Sequence, residues 1–318
     1  MNLDFSDIKV LVVGDFMVDH YIIGESNRMS PEAPVPVVVP KEEYSIPGGA
    51  GNVAMNLKLM GADVTCIGCV GNDIWGKKLI SILKNKGIKT EGIDLIDDHP
   101  TTLKQRIYSN GKQVARLDTE NIINWEIDED TIEIAENYDV IILSDYNKGV
   151  LHNSKLFITQ IDFCQLSPDS RLKSIIVDPK KDDFDHYHGV NIITPNLNEL
   201  QKATKVKIDG NQSIIKACKK LIEEYHIEYI VAKKGDKGIT IVGEDNFVKH
   251  IKPHNVENPD VTGAGDTVIA ALSIAYAKTN DIELSTKFAN AAAAIAVSKA
   301  GTASVTIDEI NNYIEISK

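Results

Sequence analysis

The chain has 318 residues, of which 43% are hydrophobic and 25% charged, the composition of a globular protein that can bury a sizeable core. Its 34 Lys and Arg residues stand against 46 Asp and Glu residues, and the net charge of −12 disfavours nucleic-acid and membrane partners. The N-terminus lacks the pattern of a secretory signal and the longest apolar run, Ala291 to Val297, is too short to cross a bilayer, so we expect a cytoplasmic protein.

Short runs rich in Val and Ile alternate with helix-period stretches, the pattern of parallel strands joined by crossover helices. The predicted strands are Lys9–Val13, Val64–Gly68, Val140–Ser144, Ser174–Val177, Asn191–Thr194, Tyr229–Lys233 and Gly238–Val242. The predicted helices include Gly51–Met60, Trp75–Lys86, Gln212–Tyr225 and Gly263–Lys278. The fold class is therefore α/β, with a central, mostly parallel sheet flanked by helices.

Two stretches break this alternation. Residues 20–46 contain four prolines around Val35–Val39, and residues 101–118 indicate a hairpin around Asn110 and Gly111. Both predict strands outside the main sheet, in a small β lid over its edge. No repeat or linker divides the chain, so we expect a single domain over residues 1–318. Exposed edges on lid strands favour pairing between subunits, which predicts a homodimer.

The segment from Asp260 to Thr267 directly precedes a helical run of Val, Ile, Ala and Leu. Gly263 and Gly265 let the backbone amides of a helix N-terminus approach a ligand, and these amides favour an anion such as phosphate. Asp266 would gain about 0.3 to 1 kcal/mol from the helix dipole, which would keep it ionised and able to accept a proton. The alternative is a tight turn followed by an ordinary first-turn acid. Six specified residues in seven positions arise by chance at a frequency of roughly 10⁻⁷, which favours a functional site.

Asp-x-x-Gly-Ala-Gly-Asp resembles the C-terminal signature of the ribokinase-like (phosphofructokinase-B) sugar kinases. Counterparts of the other family signatures occur in the same order, as Pro47-Gly48-Gly49-Ala50-Gly51-Asn52, Thr194-Pro195-Asn196-Leu197-Asn198-Glu199 and Lys234-Gly235-Asp236-Lys237-Gly238. Together these motifs cover nearly the whole chain. The resemblance implies a ribokinase-like fold and ATP-dependent phosphorylation of a sugar with Mg²⁺ as cofactor. A requirement for a monovalent cation, common in the family, stays open.

The family's residue roles are carried over on these motifs. The resemblance implies that Asp266 is the catalytic base and that the anion hole consists of Gly263, Ala264 and Gly265. Asn196 and Glu199 would organise Mg²⁺ and the nucleotide phosphates through water. The other implied nucleotide-site residues are Lys234, Gly235, Gly238 and Asn290. The implied sugar-site residues are Asp19, Gly48, Gly49 and Asn52.

Asp15 and Asp19 follow the first predicted strand, at the end where open α/β sheets bind ligands. Such a carboxylate pair could form a hydrolytic site, a metal site or a clamp for sugar hydroxyls. No third acid or His lies nearby in the sequence, which favours the clamp. We therefore expect Asp15 to bind the substrate together with Asp19.

Within the family, the chain resembles the kinases of D-glycero-β-D-manno-heptose 7-phosphate, most specifically in Ser30-Pro31-Glu32-Ala33-Pro34-Val35-Pro36-Val37. Ribose is disfavoured because Met17 stands where ribokinases carry Asn. The resemblance implies phosphorylation of the anomeric hydroxyl to the 1,7-bisphosphate, in ADP-heptose and lipopolysaccharide core synthesis. Such kinases are often fused to a nucleotidyltransferase, and we expect a separate protein to perform that step here.

A phosphorylated substrate requires cations, and Arg is suited to bidentate phosphate contacts. The candidates are Lys104, Arg106, Arg116, Lys148 and Lys180, although each could equally be a surface charge. Two alternatives stay open: a family kinase for another sugar or sugar phosphate, such as a ketohexose phosphate, and a non-catalytic nucleotide or sugar sensor. The intact Asp266, Asn196 and Glu199 weigh against the sensor.

Overall fold

A computed structural model describes residues 3–165, 170–299, 301 and 303–316, without the side chains of residues 162–165. In this part of the chain the strands are β1 (Lys9–Gly14), β2 (Phe16–Glu25), β3 (Val39–Gly49), β4 (Asp63–Gly71), β5 (Lys89–Ile96), β6 (Leu103–Ser109), β7 (Lys112–Thr119), β8 (Val140–Ser144), β9 (Ser174–Asp178), β10 (Ile192–Ile193), β11 (Tyr229–Lys233), β12 (Ile239–Gly243) and β13 (Val248–Ile251). The α-helices are α1 (Ala50–Leu59), α2 (Ile74–Asn85), α3 (Glu129–Ala135), α4 (Ser154–Gln165), α5 (Leu197–Thr204), α6 (Asn211–Tyr225), α7 (Ala264–Thr279), α8 (Ile282–Val297) and α9 (Ile307–Ile316). The strands and helices predicted from the sequence are present, with their ends displaced by a few residues at most.

The described residues form a large sheet of nine strands in the order β13-β12-β11-β10-β9-β8-β1-β4-β5. Neighbouring strands are parallel from β11 to β5, whereas β12 and β13 join antiparallel at one edge. Val10 and Val12 of β1 face one hydrophobic core, and Leu11 and Val13 face another on the opposite side of the sheet. Both faces are covered, which explains the continuous apolar runs and confirms the predicted α/β class.

Helix α7 lies in the first of these cores, in contact with α1 and α8. Every residue from Asp266 to Ala277 is buried. The helix carries Ala, Ile and Leu on all sides and so has no polar face to turn toward solvent. The core therefore fixes the position of the N-terminus of α7, where the glycine-rich segment begins.

The small sheet consists of β2, β3, β6 and β7 in the order β3-β2-β6-β7. The sequence predicted its strands within residues 20–46 and 101–118, but β2 already begins at Phe16 and β3 continues to Gly49. Of the run Val35–Val39, only Val39 lies in a strand, and Pro36 forms an isolated bridge with Met29. The predicted β6–β7 hairpin is confirmed, with positive φ at Asn110 and Gly111.

Two edges matter for function. Strand β7 is exposed along its whole length, and the homodimer expected from such edges stays a prediction. The second edge is formed by the carboxyl ends of the parallel strands. The ends of β1, β8, β9 and β11 carry Asp15, Asp145, Asp178 and Lys233. None of the helices described above combines the length and the apolar character that a membrane span requires.

Candidate active site

Helix α7 opens on the glycine-rich segment. Gly263 is its N-cap residue, with a left-handed φ of 75°, and no side chain among the described residues caps the helix. Gly263, Ala264 and Gly265 are only partly buried, unlike the residues that follow them. An uncapped helix N-terminus with its backbone partly open to solvent has the properties of an anion site.

Lys233 and Asp178 lie beside this opening. A Cβ atom built on Gly265 would be 3.5 Å from Lys233 Nζ and 3.7 Å from Asp178 Oδ2. The two side chains form an ion pair with 2.5 Å between Nζ and Oδ1, and Asp178 also accepts a hydrogen bond from the Thr194 hydroxyl at 2.8 Å. Sequence reasoning missed both residues. Their one signal was their position at the carboxyl ends of parallel strands.

Asp266 lies in the first turn of α7 and is 4% exposed. Its Oδ1 accepts a hydrogen bond from the Tyr146 hydroxyl at 2.5 Å, and its Oδ2 accepts one from the Asn52 amide at 2.7 Å. Burial raises the pKa of Asp266 to about 6, although both hydrogen bonds act to lower it. The ionised carboxylate is therefore less favoured than in water, because desolvation outweighs the two hydrogen bonds, yet at a pKa of about 6 it is still mostly ionised at neutral pH.

The sugar-side residues predicted from the sequence meet next to Asp266. Asp19 of β2 lies against Gly48 of β3, on which a Cβ atom would be 2.5 Å from Asp19 Oδ2. Gly49 has a φ of 57° and is the N-cap residue of α1, which carries Asn52. Both glycines thus allow a close approach of backbone that a larger residue would prevent. Asn52 is the link between this group and Asp266.

Asp15 has a structural role in the loop after β8, and its predicted contact with the sugar stays a prediction. It is 2% exposed, and its Oδ2 accepts the backbone N–H groups of Tyr146 at 2.8 Å and Lys148 at 3.0 Å. Its Oδ1 accepts the N–H of Val150 at 3.1 Å. Burial and the nearby Asp145 raise the pKa of Asp15 to about 6. Its carboxylate holds the loop that follows β8.

The five predicted cations do not form one cluster. Lys104 and Arg106 of β6 lie on one face of the small sheet, together with Arg116 of β7, which is directly opposite Arg106. Lys104 Nζ lies 5.3 Å from the centre of the Tyr146 ring, a cation–π distance. Arg106 pairs with Asp19 at 2.5 Å. Arg116 is exposed and pairs with Asp118 of its own strand at 2.6 Å.

Lys148 and Lys180 lie apart from the small sheet. Lys148 pairs with Glu120 at 2.8 Å, and Lys180 Nζ lies 3.5 Å from Glu199 Oε1. Both line an open cleft of about 690 Å³, together with Tyr146, Lys181 and Lys202. Contacts of these candidate cations with a substrate phosphate stay predictions.

Asn196 and Glu199 form a capping box at the start of α5. The Asn196 side chain accepts the backbone N–H groups of Asn198 and Glu199 at 2.9 Å each, and Glu199 Oε2 accepts the N–H of Asn196 at 2.8 Å. The box holds both side chains at the carboxyl edge of the sheet, where β10 ends. Their hard oxygen atoms are of the kind that Mg²⁺ prefers.

The remaining predicted nucleotide-site residues lie in the turn after β11 and on α8. Lys234, Gly235 and Gly238 form the turn between β11 and β12, in which both glycines have positive φ. A Cβ atom on Gly238 would lie 2.8 Å from the backbone nitrogen of Pro253. Asn290 of α8 donates to the carbonyl of Lys252 at 2.9 Å. Contacts of these residues with a nucleotide stay predictions.

Tyr146 is the most important site residue that sequence reasoning left without a role. It lies in the loop that follows β8, and no motif in the sequence assigned a role to its side chain. Its hydroxyl bonds Asp266, 120 residues away in sequence. Only its place after a central parallel strand could have signalled a role.

Comparison with known proteins places the chain in a family. Residues 7–309 match the model of the pfkB family carbohydrate kinases. Relatives include the bifunctional protein HldE of Helicobacter acinonychis, 39% identical over 95% of this chain and 65% of the relative. The bifunctional protein HldE of Aliarcobacter butzleri is 41% identical over 96% of this chain and 64% of the relative. The chain thus spans slightly less than two thirds of the length of these relatives.

Solved structures share the fold. Arabidopsis thaliana ribokinase complexed with ribose and ATP aligns with a TM-score of 0.76 at 20% identity, over 97% of this chain and 98% of that one. Escherichia coli phosphofructokinase-2 in complex with potassium aligns with a TM-score of 0.76 at 19% identity, over 98% and 99% of the two chains. The fold is therefore ribokinase-like, as predicted. Because the family model matches residues 7–309, the chain belongs to the pfkB family of carbohydrate kinases.

Proposed function

We propose that this sugar kinase transfers the γ-phosphoryl group of ATP to the anomeric hydroxyl of D-glycero-β-D-manno-heptose 7-phosphate. The observation that carries the proposal is a cation of the small sheet against the ring of the tyrosine that bonds Asp266. Lys104 Nζ lies 5.3 Å from the ring of Tyr146, whose hydroxyl bonds Asp266. A sugar that places one hydroxyl at Asp266 thus finds a cation for a phosphate elsewhere on the molecule. The identity of about 40% with bifunctional HldE proteins supports the same substrate.

In this reaction Asp266 accepts the proton of the anomeric hydroxyl. The freed oxygen forms a bond to the γ-phosphorus, while the bond from that phosphorus to the bridging oxygen breaks and ADP leaves with the electron pair. Asp266 then returns its proton to solvent. A pKa of about 6 suits both steps, because the carboxylate is mostly ionised at neutral pH and yet basic enough to take a proton.

The migrating phosphoryl group carries charge that must be stabilised. We assign this role to the backbone of Gly263, Ala264 and Gly265 at the positive end of the α7 dipole. Lys233 adds a side-chain cation at the same place, since its Nζ lies next to Gly265. Because phosphoryl transfer needs little covalent help from the protein, this placement of charge supplies much of the acceleration.

On the sugar side we assign the hydroxyl contacts to Asp19, which Gly48 allows to lie close to the β3 backbone. Asn52 receives a different role from the one expected, because its amide N–H already serves Asp266 Oδ2. It orients the base. Arg106 holds Asp19 in place through their ion pair and presents its remaining N–H groups to the substrate phosphate.

Mg²⁺ is implied by the family, and the oxygen donors of Asn196 and Glu199 fit it. Within the described part of the chain, no group of three or more His, Cys, Asp and Glu could enclose a metal ion. Both Glu199 oxygens already have partners, in Asn196 N–H and Lys180 Nζ, which favours contact through water. Magnesium commonly binds in this way, through one or two protein groups, water and phosphates. When bound, it would neutralise charge on the ATP phosphates.

The proposal is tested by ADP release with a panel of acceptors: heptose 7-phosphate, the unphosphorylated heptose, fructose 6-phosphate and ribose. We expect the highest kcat/KM with heptose 7-phosphate. A higher value with fructose 6-phosphate or ribose would reject the substrate assignment, and no ADP release with any acceptor would favour a non-catalytic sensor.

Asp266→Asn tests the base on whichever acceptor is turned over. General-base catalysis contributes roughly 10²- to 10⁴-fold, so kcat should fall by about that factor. The affinity for ATP, measured by calorimetry, should change little because the nucleotide lies on the other side of the anion hole. A kcat near that of the wild type would remove Asp266 from its assigned role.

A further inference from the structure

Tyr146 joins three parts of the site. Its hydroxyl lies 2.5 Å from Asp266 Oδ1, and its backbone N–H donates to Asp15 Oδ2 at 2.8 Å. The face of its ring lies 5.3 Å from the ammonium group of Lys104 on the small sheet. Tyr146 therefore contacts Asp266 and Lys104 through its side chain and Asp15 through its backbone.

The position of the hydroxyl creates a conflict with catalysis. A general base must accept a hydrogen bond from the proton that it removes. In the structure both oxygens of Asp266 already accept hydrogen bonds, from Tyr146 and from Asn52, and the residue is 4% exposed. Each oxygen has a second lone pair, but burial leaves little access to it, so a sugar hydroxyl reaches Asp266 most readily where one of these donors moves aside.

The two donors differ in their freedom to move. Asn52 lies on α1, is 2% exposed and accepts a hydrogen bond from the Asn56 amide at 3.2 Å. Asn56 in turn accepts the backbone N–H of Val305 at 3.1 Å, so this donor is fixed by a buried chain of contacts. Tyr146 instead lies on a loop, is only partly buried and lines the open cleft with Lys148 and Lys180. Its hydroxyl is bonded to Asp266, but no buried chain of contacts like that of Asn52 is seen to hold its ring among the described residues.

We propose that Tyr146 is a positioning residue that holds Asp266 Oδ1 while the sugar site is empty and yields this place to the reacting sugar hydroxyl. The inference rests on the proposed function, since it takes Asp266 as the base. While Tyr146 occupies the base, water cannot take the substrate's place, so ATP is protected from hydrolysis. An anionic sugar also draws Lys104 away from the tyrosine ring. The displacement of Tyr146 from Asp266 therefore depends on the negative charge of the substrate.

The pH dependence of the reaction shows whether the Tyr146 hydroxyl leaves Asp266 when the sugar binds or stays hydrogen-bonded to it. Burial and Asp178 raise the pKa of Asp266, whereas the bonds from Tyr146 and Asn52 and the charge of Lys233 lower it. Tyr146→Phe removes one lowering contribution, so the pKa of Asp266 rises in the sugar-free enzyme. In the sugar complex the tyrosine bond is already absent, and the same substitution leaves the pKa unchanged.

The experiment measures kcat/KM for the sugar and kcat across pH at saturating ATP, in wild type and Tyr146→Phe. The first profile reports the sugar-free enzyme and the second the sugar complex. We expect the acid limb of kcat/KM to move up by about one pH unit, the equivalent of one hydrogen bond to a charged group, and the limb of kcat to stay. ADP release without sugar should rise severalfold. A shift in both profiles would mean that Tyr146 stays bonded, and a shift in neither that its role is structural; either result overturns the inference.

Tyr138→Phe is the matched control. Its hydroxyl donates to the Thr65 hydroxyl at 2.9 Å, away from Asp266, so both profiles should match the wild type. Thermal unfolding of each variant shows whether it is folded. The assay uses heptose 7-phosphate or, if that is inert, whichever acceptor of the panel is turned over. An active Asp266→Asn variant would overturn the proposed function itself, whereas an inactive one with unshifted Tyr146→Phe profiles would overturn this inference alone.

Discussion

Arg106 of β6 reaches across to Asp19 of the neighbouring strand β2, with 2.5 Å between Nη1 and Oδ1. The two side chains are 12% and 8% exposed, so the ion pair is screened little by solvent. It holds Asp19 through a side chain, whereas the Asp15 carboxylate is bound to three backbone N–H groups. The pair therefore links the position of the small sheet to the binding of the sugar.

Arg106→Ala should raise KM for the sugar phosphate at least tenfold, about 1.4 kcal/mol, and leave KM for ATP within a factor of about two. The substitution leaves Asp19 buried without its cation, and breaking a buried pair costs roughly 3 to 5 kcal/mol. Steady-state kinetics with each substrate varied in turn measures the effect. Arg116→Ala is the control, because Arg116 is 45% exposed and pairs within its own strand. Equal increases in the two variants would contradict the assignment.

Gly48→Ala should lower kcat/KM for the sugar by tenfold or more, because its Cβ atom would lie 2.5 Å from Asp19 Oδ2 and push that carboxylate away. The backbone of Gly48 lies outside the left-handed region, so the close approach alone causes the effect. Gly210→Ala is the matched control, since a Cβ atom there meets only open space. Steady-state kinetics on both variants measures kcat/KM for the sugar. An unchanged kcat/KM in Gly48→Ala would remove Gly48 from the sugar site.

Local patterns account for what the sequence predicted correctly. Buried parallel strands such as β1 and β8 are continuous apolar runs, and the Asn110-Gly111 turn carries its own conformational signal. The glycines before Asp266 mark a helix start in the same way. These features depend on a few consecutive residues, so they can be recognised from the sequence before any tertiary contact is known.

Side-chain partners could not be predicted in this way. Asp266 meets Asn52 across 214 positions and Tyr146 across 120, and no local pattern encodes either contact. In the sequence Asp15 and Asp19 both follow the first strand, so the pair was expected to bind the sugar together. Only the course of the loop after β8 shows that the Asp15 carboxylate is already bound to the backbone. The direction of the pKa shift of Asp266 likewise depends on burial, which the sequence does not show.

Asp15→Ala should destabilise the protein by several kcal/mol, because it leaves the backbone N–H groups of Tyr146, Lys148 and Val150 without their acceptor. Each buried donor left unsatisfied costs roughly 1 to 3 kcal/mol. Urea unfolding at pH 7.5 measures the loss. The control is Asp185→Ala, which removes an exposed ion pair with Lys155 and should cost less than about 1 kcal/mol. A loss of stability no larger than that of the control would mean that solvent forms hydrogen bonds with these backbone N–H groups in the variant.

Asp266→Asn should stabilise the protein at neutral pH while it removes activity. The rise of the Asp266 pKa from 3.8 to about 6 corresponds to roughly 3 kcal/mol against the ionised form in the folded state. The folded state therefore binds a proton more tightly than the unfolded state, and stability falls as pH rises from about 4 to 6. Above pH 6 the wild type bears the full cost of the buried charge, which the amide lacks.

The gain in stability of Asp266→Asn over wild type should thus be largest at pH 7 to 8, about 1 to 3 kcal/mol, and shrink toward zero as pH approaches 4. Urea unfolding of both proteins across this range measures it, and other titrating groups cancel in the difference. Asp19→Asn supplies a control of opposite sign, because it removes the partner of buried Arg106 and should destabilise the protein. A gain independent of pH would mean that the ionised carboxylate is not what costs stability, and the raised pKa that makes Asp266 a suitable base would then need another cause.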